Sequence, residues 1–224
     1  MASGVTSPRL AAVLGRENFV LRDELQQDKR SALHAVVSMF RDYQVPYVVT
    51  GGLAVQLYNP QVRPTLDVDI VCLRKPFERL KAEQPWARYG FELVFDRRRF
   101  IKLRHTASNV EVDINVDTRF ARVLDQPVTE SVDGHPVCFC SLANLAFTKL
   151  RTQRSDWPRD YAKRLQDRSD LAGILRAHPE IVEALKTDPM TTDEMRQVLD
   201  EICRALAACP DDDLPPGDES DVPP

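Results

Sequence analysis

Two aspartates, Asp67 and Asp69, sit one residue apart, fifteen positions beyond a Gly51-Gly52 pair, and a third aspartate, Asp113, stands in a later run. From Asp67 to Leu73 the residues alternate, so Asp67, Asp69 and Val71 share one face of a strand and Val68, Ile70 and Cys72 the other. Carboxylates spaced i, i+2 on a strand lie roughly 6–7 Å apart at Cα. Side by side in a folded site they repel, which raises a pKa unless a cation intervenes. Hard oxygen ligands on a rigid strand suit Mg²⁺, which keeps some waters and completes its shell from substrate phosphates. Taken alone, the pair also fits a solvated edge strand. The same spacing recurs at Asp211 and Asp213, in an acidic tail where it carries no such meaning.

The third carboxylate sharpens the reading. In Val110 to Val116 the valines and Ile114 line one face, while Glu111, Asp113 and Asn115 line the other, the pattern of a half-buried strand. If this strand neighbours the first, three carboxylates can hold two Mg²⁺ ions about 3.5–4 Å apart and clamp the oxygens of an in-line displacement. Asp113 would also be placed to accept a nucleophile's proton. The alternative for Asp113 is an exposed strand residue beside Lys102 or Arg104. Ahead of the aspartates, Tyr47 to Thr50 reads as a short buried strand and Leu53 to Tyr58 as the start of a helix. Gly51 and Gly52 occupy the junction, where unpaired backbone N–H groups and the lack of a Cβ admit a phosphate. The pattern is neither GxxxxGK[ST] nor GxGxxG.

The string from Gly51 to Asp69, GG-x-A-(x8)-R-x-T-x-D-x-D, resembles the nucleotidyltransferases of the DNA polymerase β type. Their motif is G[GS], a short helix, Dx[DE] and a third aspartate on a later strand. Arg63-x-Thr65 is similar to the AbiEii-like branch, which includes toxins of type IV toxin–antitoxin systems, and to the small-molecule antibiotic nucleotidyltransferases. The resemblance implies an α/β (α+β) fold: a small mixed-sheet nucleotidyltransferase core followed by a C-terminal helical portion. It implies that Gly51 and Gly52 hold the triphosphate, that Asp67 and Asp69 bind metal, and that Asp113 is the third ligand or base. Arg63 and Thr65 would orient the loop carrying Asp67.

The likeness continues past residue 140. Ser141 to Leu150 reads as a helix with Ser141 as its N-cap. Lys149 follows Leu142 by seven residues, Leu145 by four and Ala146 by three, so it falls on the apolar stripe. An inward cation needs an acidic partner or a phosphate. In the resembling branch a Lys helix precedes a KD-x-x-DL-like segment, here Gln166 to Leu171. The resemblance implies Lys149 as a triphosphate contact and Asp167 as the acidic position, with Asp170 behind it. An interhelical salt bridge from Lys149 to one of those aspartates is the plain structural alternative. Two positions depart from the pattern: Gly52 stands where many members carry serine, and Gln166 where a basic residue is usual.

The elements that must position these groups can be traced along the chain. A helix over Asp23 to Tyr43 places Leu33, Val36, Val37, Phe40 and Tyr43 on one side. The spacing predicts strand 47–50, helix 52–58, strand 67–73, helix 76–86, and strands 91–95, 99–104 and 110–116. A β-excursion over Val128 to Cys140 turns at Asp133-Gly134. Helices are expected near 141–153, 158–176, 179–187 and 191–208, with Pro158 in a first turn and Thr191-Thr192-Asp193-Glu194 as a capped start. The expected organisation is a flexible 1–17, a nucleotidyltransferase core with its N-terminal helix over 18–140, a helical domain over 141–208, and a disordered acidic tail over 209–224.

Composition is that of an ordinary soluble protein: 224 residues, 43% hydrophobic and 29% charged. No apolar run reaches 18 residues and no signal-peptide core opens the chain, so a cytoplasmic protein with no membrane partner is expected. Five cysteines without a CxxC argue against a disulfide scaffold or a zinc site. The formal charge of −4 hides an imbalance: six of the 34 acids lie in the tail, leaving 28 against 30 bases. Positive charge gathers at Arg97, Arg98, Arg99, Lys102 and Arg104, and again from Lys149 through Arg151, Arg154, Arg159, Lys163 and Arg164 to Arg168. Such patches could steer a nucleotide or an RNA backbone. The expected activity is Mg²⁺-dependent transfer of a nucleoside monophosphate from an NTP such as ATP to a hydroxyl of tRNA, another RNA or a small molecule. A toxin role with an antitoxin protein is one setting for it. A non-catalytic nucleotide-binding or interaction module on the same fold is the alternative.

Overall fold

The structure is a computed structural model of the chain and describes residues 24–59, 65–116 and 118–208. The N-terminus, the acidic tail and Arg63, for which the sequence sets expectations, lie outside the described residues. The first helix, α1 (Glu24–Asp42), turns Leu33, Val36, Val37 and Phe40 into the core. It leads into β1 (Tyr47–Thr50), α2 (Gly51–Tyr58) and β2 (Asp67–Cys72), close to the limits the residue spacing predicts. The helix expected over 76–86 instead runs as α3 (Arg74–Glu83). Gln84 takes a left-handed conformation at φ 48° and Pro85 follows, starting a separate 3₁₀ turn over Pro85–Tyr89. A residue before proline is pushed out of the α region, which explains the early stop.

An antiparallel ladder of β3 (Phe91–Arg97), β4 (Phe100–His105) and β5 (Glu111–Asn115) follows. Next comes a 3₁₀ segment, Thr118–Leu124, which the sequence pattern does not announce. Its apolar residues Phe120 and Val123 recur at i, i+3, a spacing that a turn of either helix type allows. The hairpin of β6 (Val128–Val132) and β7 (His135–Phe139) turns at Asp133 and Gly134, both at positive φ. It is no excursion: β7 lies parallel to β1 and extends the main sheet, whose order is β3-β4-β5-β2-β1-β7-β6.

Four helices close the chain: α4 (Leu142–Arg151), α5 (Tyr161–Ala177), α6 (Ile181–Thr187) and α7 (Asp193–Ala208). Pro158 precedes α5 rather than opening it. Asp160 is the cap, its side chain accepting a hydrogen bond from the Lys163 backbone N–H, and a carboxylate cap outweighs the preference of proline for a first turn. Thr192 caps α7 through the Met195 N–H. The pairing register puts Val49, Ile70, Ile114 and Ile101 on one face of the sheet, all buried. On that side α1 brings Phe40 against Tyr47, with ring centroids 5.4 Å apart. Buried side chains of the sheet and of the C-terminal helices form one cluster. Among the described residues no helix is long and apolar enough to cross a membrane.

Candidate active site

The opposite face of the sheet carries the polar groups, and the register aligns them in rows. Thr50, Asp69, Asp113 and Lys102 face one another in turn across β1, β2, β5 and β4. The next row is Asp67, Glu111 and Arg104. Parallel pairing of β2 with β5 thus delivers the juxtaposition that the sequence left conditional. One carboxylate oxygen each from Asp67, Asp69 and Asp113 falls within a 4.8 Å group.

Burial makes this cluster electrostatically costly. Loss of solvent first, then the charges of Asp67 and Asp113, push the Asp69 carboxyl up to about 7. Burial also raises Asp113, against the pull of Lys102. Lys102 Nζ lies 3.2 Å from Asp113 Oδ1 but gives its hydrogen bond to Glu111, so that Asp113 oxygen is buried without a hydrogen-bond partner. Glu111 in turn is held well below the usual carboxylate range by Lys102 and Arg104. Converging hard oxygens, one of them unsatisfied and one carboxyl reluctant to ionise, are a donor set that fits a divalent cation such as Mg²⁺.

The glycine turn is shaped to the same centre. Gly51 has φ +61°, and a Cβ there would fall 1.8 Å from Asp69 Oδ2. A Cβ on Gly52 would fall 2.5 Å from Thr65 Oγ1. Thr65 therefore fills the space that a serine at position 52 would need, and its hydroxyl donates to Asp67 Oδ1 at 2.9 Å. No side chain caps α2 at Thr50, so the first backbone N–H groups of the helix are left for another acceptor.

Helices form the facing wall. Lys149 on α4 is buried, and its Nζ donates to Asp167 Oδ1 and to Asp170 Oδ2 on α5, both at 2.7 Å. Burial would lower the lysine, but the two carboxylates outweigh it and hold its pKa above the ordinary value. Asp167 is shared with Arg159, whose Nε lies 2.8 Å from Oδ2. A cavity of about 470 Å³ separates the two walls. Gly51, Gly52, Thr65, Asp67, Asp69, Asp113, Lys149 and Asp167 all line it, so every candidate site residue within the described parts of the chain meets there.

Other lining residues escape a reading of the sequence. Phe120 and Trp157 meet edge to face at 5.9 Å on the cavity wall, which Thr148 and Thr152 also line. Arg159 and Lys163 reach the cavity too; in the sequence they belong to a basic cluster that could steer a nucleotide, and nothing there singles either out. The i, i+3 spacing of Phe120 and Val123 is the one local signal that could have marked the 3₁₀ segment as part of a site.

A family profile described as aminoglycoside-2''-adenylyltransferase matches residues 32–174. No curated protein sequence matches the chain. Among solved structures, an antigenic nucleotidyltransferase-like protein from Paracoccidioides brasiliensis superposes with a TM-score of 0.54 at 18% identity, over 81% of this chain and 91% of that one. The crystal structure of ANT(2'')-Ia in complex with adenylyl-2''-tobramycin gives a TM-score of 0.49 at 14% identity, over 77% and 97%. The Megavirus polyadenylate synthase gives 0.45 at 12% identity, over 84% of this chain and 42% of that one.

Proposed function

Since the chain belongs to the aminoglycoside-2''-adenylyltransferase family and is a nucleotidyltransferase, we propose that it moves a nucleoside monophosphate from an NTP to a hydroxyl of a small acceptor, in a Mg²⁺-dependent reaction that releases pyrophosphate. The observation that carries this reading is the placement of three converging carboxylates directly beside the bare Gly51-Gly52 turn, on one wall of a single cavity.

Asp67 and Asp69 would hold magnesium, with Asp113 as the third ligand. When bound, the metal neutralises the carboxylates and draws charge from the transferring phosphoryl group and its leaving oxygen. Backbone N–H groups at Gly51 and Gly52 would receive the phosphates. Thr65 fixes the Asp67 carboxylate through its hydrogen bond, so one donor oxygen is preset. Asp113, raised by burial and with one oxygen held only by the Lys102 ion pair, is suited to take the proton of the acceptor hydroxyl. The acceptor oxygen then bonds to the α-phosphorus as the bond to the pyrophosphate oxygen breaks. Family membership supports a small acceptor over RNA.

The test is pyrophosphate release from each of the four NTPs with Mg²⁺, against a panel of hydroxylated small molecules that includes aminoglycosides. Acceptor-dependent release is expected. Asp69→Ala should abolish it while the circular dichroism spectrum and cooperative melting remain. Turnover retained in a well-folded Asp69→Ala protein would overturn the assignment.

A further inference from the structure

The cationic side of the cavity does not distribute its charge as its sequence suggests. Lys149 carries two carboxylates at 2.7 Å each and is itself only 8% exposed. Its charge is spent inside the α4–α5 contact. Arg159 differs. Its side chain is 35% exposed and lines the cavity. Only its Nε is engaged, by Asp167, and the guanidinium makes no other hydrogen bond among the described residues. A guanidinium anchored through Nε is oriented, and its terminal nitrogens form a fork that matches phosphate oxygens. It also lies within electrostatic reach of the Asp69 carboxylate on the acidic wall.

Resting on the nucleotidyl-transfer reading, we propose that Arg159 binds the outer phosphates of the triphosphate. Asp167 aims it, and Lys149 is the buried post that holds Asp167 and Asp170 in place. The reacting phosphoryl group must sit on the sheet, beside Asp69 and Asp113. What extends from there to the helical wall is the remainder of the phosphate chain, and Arg159, whose Nε pairs with Asp167 while its terminal nitrogens make no hydrogen bond among the described residues, is the aimed cation that meets it. Lys163 lines the same part of the cavity without such an anchor and adds a weaker, unoriented charge.

The test uses a base-free probe, because the preferred nucleobase need not be known. Binding of inorganic tripolyphosphate with Mg²⁺ is measured by calorimetry for the wild type, Arg159→Gln, Arg159→Lys and Lys163→Gln, with melting temperatures as a control. Arg159→Gln should weaken tripolyphosphate binding by about tenfold to a hundredfold, the range of a charge-assisted hydrogen-bonded contact. Its affinity for the four nucleoside monophosphates should not change. Arg159→Lys should recover part of the loss, and Lys163→Gln should lose less than Arg159→Gln. A folded Arg159→Gln protein that binds tripolyphosphate as the wild type does overturns the assignment alone. A wild type that binds neither tripolyphosphate nor any MgNTP overturns it together with nucleotidyl transfer.

Discussion

Asp69 shows how a catalytic demand can oppose folding. Its carboxyl is buried between two others, and the folded state holds it protonated up to about pH 7, whereas the unfolded chain releases that proton near 3.8. The folded state therefore binds more protons over that window, and the metal-free protein loses stability as pH rises through it, by at most about 1.4 kcal/mol per pH unit from this group. Asn cannot ionise, so Asp69→Asn should melt above the wild type at pH 8 in EDTA. The gain should shrink toward pH 4, where both side chains are neutral. Thermal melts across that range check it, and equal melting temperatures at pH 8 would refute the argument. A second residue-scale expectation concerns the crowding of Gly52 by Thr65, 2.5 Å from a Cβ that is not there. Gly52→Ser alone should cost activity and about 1–3 kcal/mol of stability, the usual range for overpacking. Adding Thr65→Ala should return part of the stability, and a double-mutant cycle with no coupling would show that the two sites do not share that space.

At the scale of elements, the α4–α5 contact turns on Lys149. Asp167 and Asp170 are 2% and 3% exposed, and Lys149 bonds to both. Lys149→Met keeps an unbranched stem of nearly the same length and removes the ammonium, leaving two buried carboxylates short of a cation. The expected loss is about 3–5 kcal/mol, read from the denaturation midpoint, because breaking a buried pair strands the partner. Lys149→Arg should lose less. Local patterns made much of this architecture legible. Alternation marked the strands of Asp67 and Asp113, and an apolar stripe with a lysine on it marked α4 as a helix with an inward charge. Topology was not legible: the β7–β1 pairing joins Val49 to Phe139, and no local period encodes a contact of that separation. Short 3₁₀ segments escaped because one turn gives too few repeats to show a period. Arg159 escaped for another reason. A base in a charged stretch reads as a solvated face until its anchor on Asp167 is seen.

For the whole molecule, the site is divided between the sheet side, which bears the acids and the glycine turn, and the opposite side, where α4, α5, the loop between them and the 3₁₀ segment bear the cations and the aromatic pair. A ligand that needs both walls stabilises the association of the two, so its effect should appear in global unfolding rather than in one element. Binding that favours the native state adds about 2.7 kcal/mol at 100 times Kd. For a chain of 224 residues that corresponds to a rise on the order of 5–10 °C in Tm. We expect such a rise with the preferred NTP only when Mg²⁺ is present, because either component alone leaves charge uncompensated: the triphosphate against the three aspartates, or the aspartates against each other. Asp67→Ala should abolish the rise with a normal Tm in the absence of ligand. An equal shift with EDTA would mean that the nucleotide binds through the cationic wall alone, and that the acidic row of the sheet plays no part in holding it.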